Sequence, residues 1–129
     1  MNHRVFATIA AWAFGAGLAG PACAADPSSE VVKRGEAVFA NRCSVCHGAK
    51  ADGRSALADV MTVKPANLRA SLLSEDERRT IVSQGGAGPG RSPNMPAWKD
   101  ELDEADLAAV LAFTATLAAQ ARQLAAKQP

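Results

Sequence analysis

Apolar residues recur at helical spacing in three parts of the chain. No part alternates apolar and polar residues for long enough to predict a strand. In the first part, Val32, Gly35, Phe39 and Cys43 fall on one face of a helix predicted over residues 30–42. The pattern therefore indicates an all-α protein that begins with an amphipathic helix.

This first helix contains a glycine and is preceded by two serines that are suitable N-caps. Ser28 or Ser29 is predicted to cap it. Glycine inside a helix costs about 1 kcal/mol relative to alanine. Gly35 therefore either allows a second helix to approach closely or is tolerated without a packing role, and the sequence leaves both interpretations open.

The second helical segment has a clear start and a clear end. Ser74 and Glu77 have the spacing of a capping box, which predicts a helix that runs to about Gln84 and stops at Gly85. Residues 85–96 are rich in glycine and proline, and they are predicted to form a loop.

The third helix is predicted from about Asp103 to Ala126, with acidic residues in its first turn, where the helix dipole favours them. Its apolar face comprises Leu107, Val110, Leu111, Thr114 and Leu117, and Phe113 widens it. The alanine-rich end from Ala118 to Lys127 is either a docking element or a solvated helix end.

The first residues have the pattern of an export signal. His3 and Arg4 precede an apolar stretch that ends in small residues, which predicts a signal peptide over residues 1–24, cleaved after Ala24 or Ala25. The apolar stretch is shorter than the roughly 20 residues of a membrane-spanning helix. An uncleaved anchor, a buried N-terminal helix and a lipid anchor on Cys23 are the alternatives. Residues 25–129 would form the exported domain.

Composition and charge exclude some classes of function. The 129 residues suffice for one small domain, and 48% hydrophobic with 21% charged residues is an ordinary globular composition. The formal charge of +1 lacks the basic excess of a nucleic-acid-binding protein, so no nucleic-acid partner is expected. Beyond residue 24 the aromatic residues are only Phe39, Trp98 and Phe113. A core with so few large side chains predicts that an added group fills its centre.

Cys43, Cys46 and His47 form a C-x-x-C-H sequence, the signature of covalent haem c attachment. The spacing places two thiols within about one helical turn, and His47 follows as the proximal axial ligand. A structural zinc site would need four ligands, and residues 25–129 contain no further cysteine or histidine. A thioredoxin-like pair would need a βαβ pattern, and a simple disulfide would leave His47 without a role. Haem attachment is the preferred interpretation.

Met95 is the candidate for the sixth ligand of the iron, because it lies in the loop rich in glycine and proline, from which its thioether could reach the other haem face. Met61 is closer to His47 in the sequence and is less suitable. The competing interpretation is that Met95 fills the core.

Taken together, Gly35, Phe39, the C-x-x-C-H sequence, Pro65, Met95-Pro96-Ala97-Trp98 and the last helix resemble a class I cytochrome c. The resemblance implies a small all-α fold with three main helices and short turns around one covalently attached haem c. It also implies that the first and last helices cross, and that the carbonyl of Pro65 accepts a hydrogen bond from the ring of His47.

With His47 and Met95 as ligands, the expected function is single-electron transfer between redox partner proteins by a monomeric periplasmic carrier without enzymatic activity. No stable membrane insertion of the exported domain is expected. A dedicated cytochrome subunit of a periplasmic oxidoreductase complex is the alternative. A five-coordinate site that binds gases or reacts with peroxide is a third possibility, and it applies if Met95 is not a ligand.

Charge is unevenly distributed along the chain. Residues 31–70 contain seven basic and three acidic side chains, whereas residues 100–106 contain five acidic side chains and no basic one. This pattern predicts either a dipolar molecule that steers an acidic partner or charges spread over a solvated surface.

Overall fold

The computed structural model describes residues 27–128, which form five α-helices and one short 3-10 helix, with no strand among these residues. The helices are α1 (Pro27–Arg42), α2 (Ser44–His47), α3 (Ala56–Val60), α4 (Glu75–Gln84) and α5 (Glu104–Ala126), and the 3-10 helix spans Leu68–Ala70. The all-α prediction with three longer helices is confirmed. The predicted signal peptide lies outside the described residues.

Helix α1 begins three residues earlier than predicted, at Pro27. Ser28 and Ser29 therefore lie inside its first turn, and the prediction that one of them is the N-cap is wrong. Proline is well suited to this position, because its fixed backbone angle is helical and the amide hydrogen that it lacks would have no partner in a first turn.

The main packing interface lies between α1 and α5. A Cβ atom at Gly35 would overlap the carbonyl oxygen of Ala109, so the two backbones are in direct contact there. Phe39 is buried, and its ring packs against that of Phe113 with the centroids 5.5 Å apart. The close-approach interpretation of Gly35 is confirmed.

Ion pairs tie the start of α5 to two other helices. Arg34 of α1 donates from Nε to Oδ1 of Asp106 at 2.6 Å, and Arg79 of α4 donates to Glu104 at 2.7 Å. Asp103 is the N-cap of α5, since its side chain accepts a hydrogen bond from the backbone N–H of Asp106. These contacts fix the N-terminal end of α5 against both α1 and α4.

By length and composition, α5 is the one helix in the described part of the chain that could cross a membrane. Its first half carries most of its buried residues, among them Leu107, Val110 and Leu111, and Ala118 in the second half is also buried.

The predicted start and end of α4 are confirmed. The Ser74 hydroxyl accepts a hydrogen bond from the backbone N–H of Glu77, and the Glu77 carboxylate accepts one from the N–H of Ser74 at 2.8 Å. The helix stops at Gly85, whose φ of 78° lies in the left-handed region that favours glycine.

The segment between α2 and α4 has no clear pattern in the sequence, yet it contains α3 and the 3-10 helix. The Ser55 side chain caps α3 by accepting a hydrogen bond from the N–H of Ala58. The ammonium of Lys64 donates to the carbonyls of Ala58 and Asp59 at the other end of α3. Polar caps therefore hold a helix that is too short to show a hydrophobic period.

Candidate functional site

The C-x-x-C-H sequence forms a single helical turn. The backbone N–H of His47 donates to the carbonyl of Cys43 at 2.9 Å, and that of Cys46 donates to the same oxygen at 3.2 Å. Gly48 ends the turn with a positive φ of 79°. Because one turn carries all three side chains, both thiols and the imidazole lie along the same cavity.

This cavity is the candidate functional site. Its volume is about 620 Å³, within the roughly 300–1,000 Å³ typical of cofactor and small-molecule sites. Its walls are mainly apolar and come from α1, the turn around α2, the segment 61–73, α4, the loop 86–98 and α5. Apolar lining residues include Phe39, Leu68, Leu73, Ile81, Val82, Trp98 and Val110.

Cys43 and Cys46 are free thiols, and both are partly buried. Burial raises the pKa of the Cys43 thiol to about 11, and the neighbouring Cys46 contributes further to this shift. Cys43 is therefore protonated at neutral pH. This property does not suit a redox pair of the thioredoxin type, whose attacking thiol has a lowered pKa.

The ring of His47 is held by the backbone of the segment that follows α3. Its Nδ1 atom lies 3.0 Å from the carbonyl oxygen of Ala66, so the predicted acceptor, Pro65, is wrong by one residue. The carbonyl of Pro65 instead points to Gly53, where a Cβ atom would lie 2.6 Å from it. With Nδ1 directed at a carbonyl, Nε2 is the nitrogen that can bind a metal.

Pro65 still lines the cavity, as do both candidate methionines. Met95 is partly buried and lies in the loop 85–103, between α4 and α5. Met61 is the C-cap residue of α3. The structure therefore brings together Cys43, Cys46, His47, Pro65 and Met95, together with Met61.

Charged residues of one sign line the cavity. Four cationic side chains belong to its wall, those of Arg42, Lys64, Arg78 and Arg91, and the lining residues include no Asp or Glu. The Nε atom of Arg78 is buried without a hydrogen-bond partner in the protein, while its Nη1 donates to the carbonyl of Leu73 at 2.8 Å. An unpaired buried donor costs about 1–3 kcal/mol. An anionic group in the cavity would remove that penalty.

These features fit haem c. The porphyrin is a large apolar plate with two carboxylates, and the cavity combines apolar walls, four cationic side chains, one of them with an unpaired buried donor, two adjacent thiols and one imidazole. Within residues 27–128, no group of three or more His, Cys, Asp or Glu residues could hold a metal ion without such a cofactor.

Three residues of the site, Ala66, Arg78 and Arg91, were not predicted from the sequence. Arg78 had a detectable signal, since it precedes Ile81 and Val82 by three and four residues and thus shares their helix face. Ala66 and Arg91 lie in irregular segments, where no periodicity indicates which way a group points.

A known family model matches more than half of this chain. The family model described as cytochrome c oxidase, cbb3-type, subunit III matches residues 30–113. No curated protein matches the chain in sequence.

Among solved structures, a chain of the reducing HAO-like protein complex of Kuenenia stuttgartiensis is similar, with 25% sequence identity and a TM-score of 0.55. The match covers 66% of this chain and 41% of that one, so the present chain spans less than half of the similar chain. Together with the helical fold and the C-x-x-C-H turn, the family match shows that this chain belongs to the class I c-type cytochromes, in the family whose model carries that description.

Proposed function

We propose that the chain carries one covalently attached haem c and transfers single electrons between redox partner proteins in the periplasm. The observation that carries this proposal is the position of Cys43, Cys46, His47 and Met95 along one cavity of cofactor size. When bound, the haem supplies a one-electron Fe(III)/Fe(II) couple.

Cys43 and Cys46 attach the haem in this proposal. Each thiol would hold the haem by adding its sulfur and its hydrogen across one vinyl group, which consumes no oxidant. His47 would bind the iron through Nε2, and the contact of its Nδ1 atom with the carbonyl of Ala66 orients the ring.

Met95 provides the other axial ligand in the proposal. A thioether is neutral and favours the ferrous state, which raises the reduction potential. With His47 and Met95 both bound, the two side chains leave no coordination position for a substrate. An electron carrier, rather than an enzyme, is the function that follows from this ligand set.

Export is the remaining part of the proposal. It is supported by the signal-peptide pattern of residues 1–24. Removal of these residues would leave 25–129 as the cytochrome domain. N-terminal sequencing of the exported protein tests the cleavage point.

The covalent attachment is tested by production in a host that matures c-type cytochromes. On a denaturing gel, the wild-type protein should stain for haem, and the double variant Cys43→Ala, Cys46→Ala should not. Val45→Ala is the matched control, because this side chain lies between the two cysteines and is 60% exposed. A colourless wild-type protein would contradict the proposal.

The axial ligand is tested by the weak methionine-to-iron charge-transfer band in the red region of the ferric spectrum. Met95→Leu should abolish this band and allow the ferrous protein to bind carbon monoxide. Met61→Leu should leave both properties unchanged. Carbon monoxide binding by the wild-type protein would instead support the five-coordinate site.

A second candidate function is that of a cytochrome subunit in an oxidoreductase complex. The observation in its favour is the similarity to a chain of the reducing HAO-like protein complex. Size-exclusion chromatography of the protein from its native host distinguishes the two. A free carrier elutes at the mass of a single chain, and a subunit elutes with its partners.

A further inference from the structure

The loop that carries Met95 returns to the last turn of α4. The backbone N–H of Trp98 donates to the carbonyl of Val82 at 3.0 Å, and that of Lys99 donates to the carbonyl of Ser83 at 3.2 Å. The last carbonyls of a helix have no partner within the helix itself. The end of the loop supplies these partners, so its position depends on where α4 stops.

The residues that follow α4 also hold Met95 directly. The N–H of Gly86 donates to the carbonyl of Met95 at 2.9 Å, and the carbonyl of Gly86 accepts from the N–H of Arg91 at 2.8 Å. The N–H of Met95 donates to the carbonyl of Ser92 at 3.2 Å. One glycine thus anchors two points of the loop, one of them the backbone of Met95.

There is no space for a larger residue at this anchor. A Cβ atom at Gly86 would overlap the carbonyl oxygen of Ser92 and would lie 3.1 Å from Cβ of Met95. At Gly85, which has a positive φ, a Cβ atom would lie 2.8 Å from the carbonyl oxygen of Met95. At Gly88, in the same loop, a Cβ atom would meet no other atom within 4 Å, so its surroundings are open.

We infer that Gly85, Gly86 and the last turn of α4 form a clasp that positions the Met95 thioether in the cavity. This inference rests on the proposed ligation by Met95. Ordering a loop costs backbone conformational entropy. Because the clasp orders the loop through its own hydrogen bonds, the iron–sulfur bond does not have to offset that cost.

The test compares Gly86→Ala with Gly88→Ala in the haem-loaded protein. Gly86→Ala should lose more than half of the intensity of the red charge-transfer band, and its ferrous form should bind carbon monoxide. Haem content should match that of the wild-type protein, because Cys43, Cys46 and His47 lie outside the clasp. Gly88→Ala should keep the full band and should not bind carbon monoxide.

Gly85→Ala is the second variant, for use if Gly86→Ala does not accumulate. The added methyl group overlaps its neighbours less at Gly85 than at Gly86, and a partial loss of the band is expected. If the glycine variant that is obtained keeps the full band and its ferrous form does not bind carbon monoxide, the inference that the clasp positions Met95 is wrong. Retention of the band in Met95→Leu would instead show that the ligation proposal itself is wrong.

Discussion

At the scale of single residues, the contact between Gly35 and the carbonyl of Ala109 determines how closely α1 and α5 approach. Gly35→Ala would push the two backbones apart and disturb the packing of Phe39 on Phe113. We expect the free energy of unfolding to fall by about 3 kcal/mol, the upper end of the range for overpacking. Urea unfolding of the haem-loaded protein measures this change.

The control for this substitution is Gly88→Ala, in which the added methyl group meets open space. Its unfolding free energy should stay within about 0.5 kcal/mol of the wild-type value. Equal destabilisation by both substitutions would contradict the helix contact as the cause of the loss.

Arg78 is the second residue whose environment leads to a prediction. Its buried, unpartnered Nε atom makes it the expected partner of a haem carboxylate. Arg78→Gln removes a positive charge from the cavity wall, which favours the more positively charged ferric state of a bound haem. The midpoint potential at pH 8 should fall by roughly 20–60 mV, a two- to tenfold change in the redox equilibrium.

Arg91→Gln is the matched control, because Arg91 also lines the cavity but is exposed to solvent. Water screens an exposed charge, so a smaller change in potential is expected. A fall in potential for Arg91→Gln but not for Arg78→Gln would contradict this prediction. It would show that Arg91, rather than Arg78, is the partner of the haem carboxylate.

At the scale of elements, α4 connects the cavity wall to the Met95 loop, and its capping box fixes where the helix begins. Ser74→Ala should lower the free energy of unfolding by about 1 kcal/mol, whereas Ser74→Asn keeps a side-chain acceptor and should cost less. Thermal unfolding of the two variants checks this expectation. Equal losses would show that the hydroxyl does not act as a cap.

The capping box also predicts a pH dependence. Hydrogen bonds from the backbone and side chain of Ser74 lower the pKa of Glu77 below its ordinary 4.5. A lowered pKa in the folded state stabilises the protein above the unfolded pKa, and this contribution is lost as the pH falls through the folded value. The stability difference between the wild-type protein and Glu77→Gln should therefore be present at pH 7 and disappear in acid.

Urea unfolding at several pH values measures this difference. Glu75→Gln, a substitution in the same helical turn outside the capping box, is the control and should show a smaller dependence. A difference that persisted unchanged into strong acid would exclude ionised Glu77 as its source.

At the scale of the whole molecule, basic and acidic side chains are less separated in space than they are along the sequence. Arg34 comes from the basic segment, yet it is paired with Asp106 in the acidic one. The cavity wall keeps Arg42, Lys64, Arg78 and Arg91 without an acidic neighbour in the lining. Positive charge is therefore concentrated in the wall of the cavity.

This distribution predicts how salt affects electron transfer. Oxidation of the ferrous protein by the anionic hexacyanoferrate(III) ion should become slower as ionic strength rises, because salt screens the attraction. Oxidation by a cationic cobalt(III) complex should become faster. The formal charge of the chain is only +1, so opposite trends would reflect local rather than net charge. Rates independent of salt would contradict electrostatic steering.

Much of the fold was predictable because its signals are local. The Ser74–Glu77 box, the stop at Gly85 and the Asp103 cap each depend on residues within a few positions of one another. The C-x-x-C-H turn is equally local, since its hydrogen bonds join residues three and four apart. The start of α1 and the presence of α3 were harder to predict from the sequence. Neither a proline in the first turn of a helix nor the polar caps of a short helix produces a hydrophobic period.

The sequence by itself determined the helical class, the three long helices and the motif that identifies a c-type cytochrome. Only the tertiary structure decided that Ala66, rather than Pro65, faces His47, that the Nε atom of Arg78 is buried without a hydrogen-bond partner, and that Gly86 holds Met95. Helices and caps arise from neighbouring residues, whereas the direction of a carbonyl or the space around a glycine depends on segments that meet only after folding.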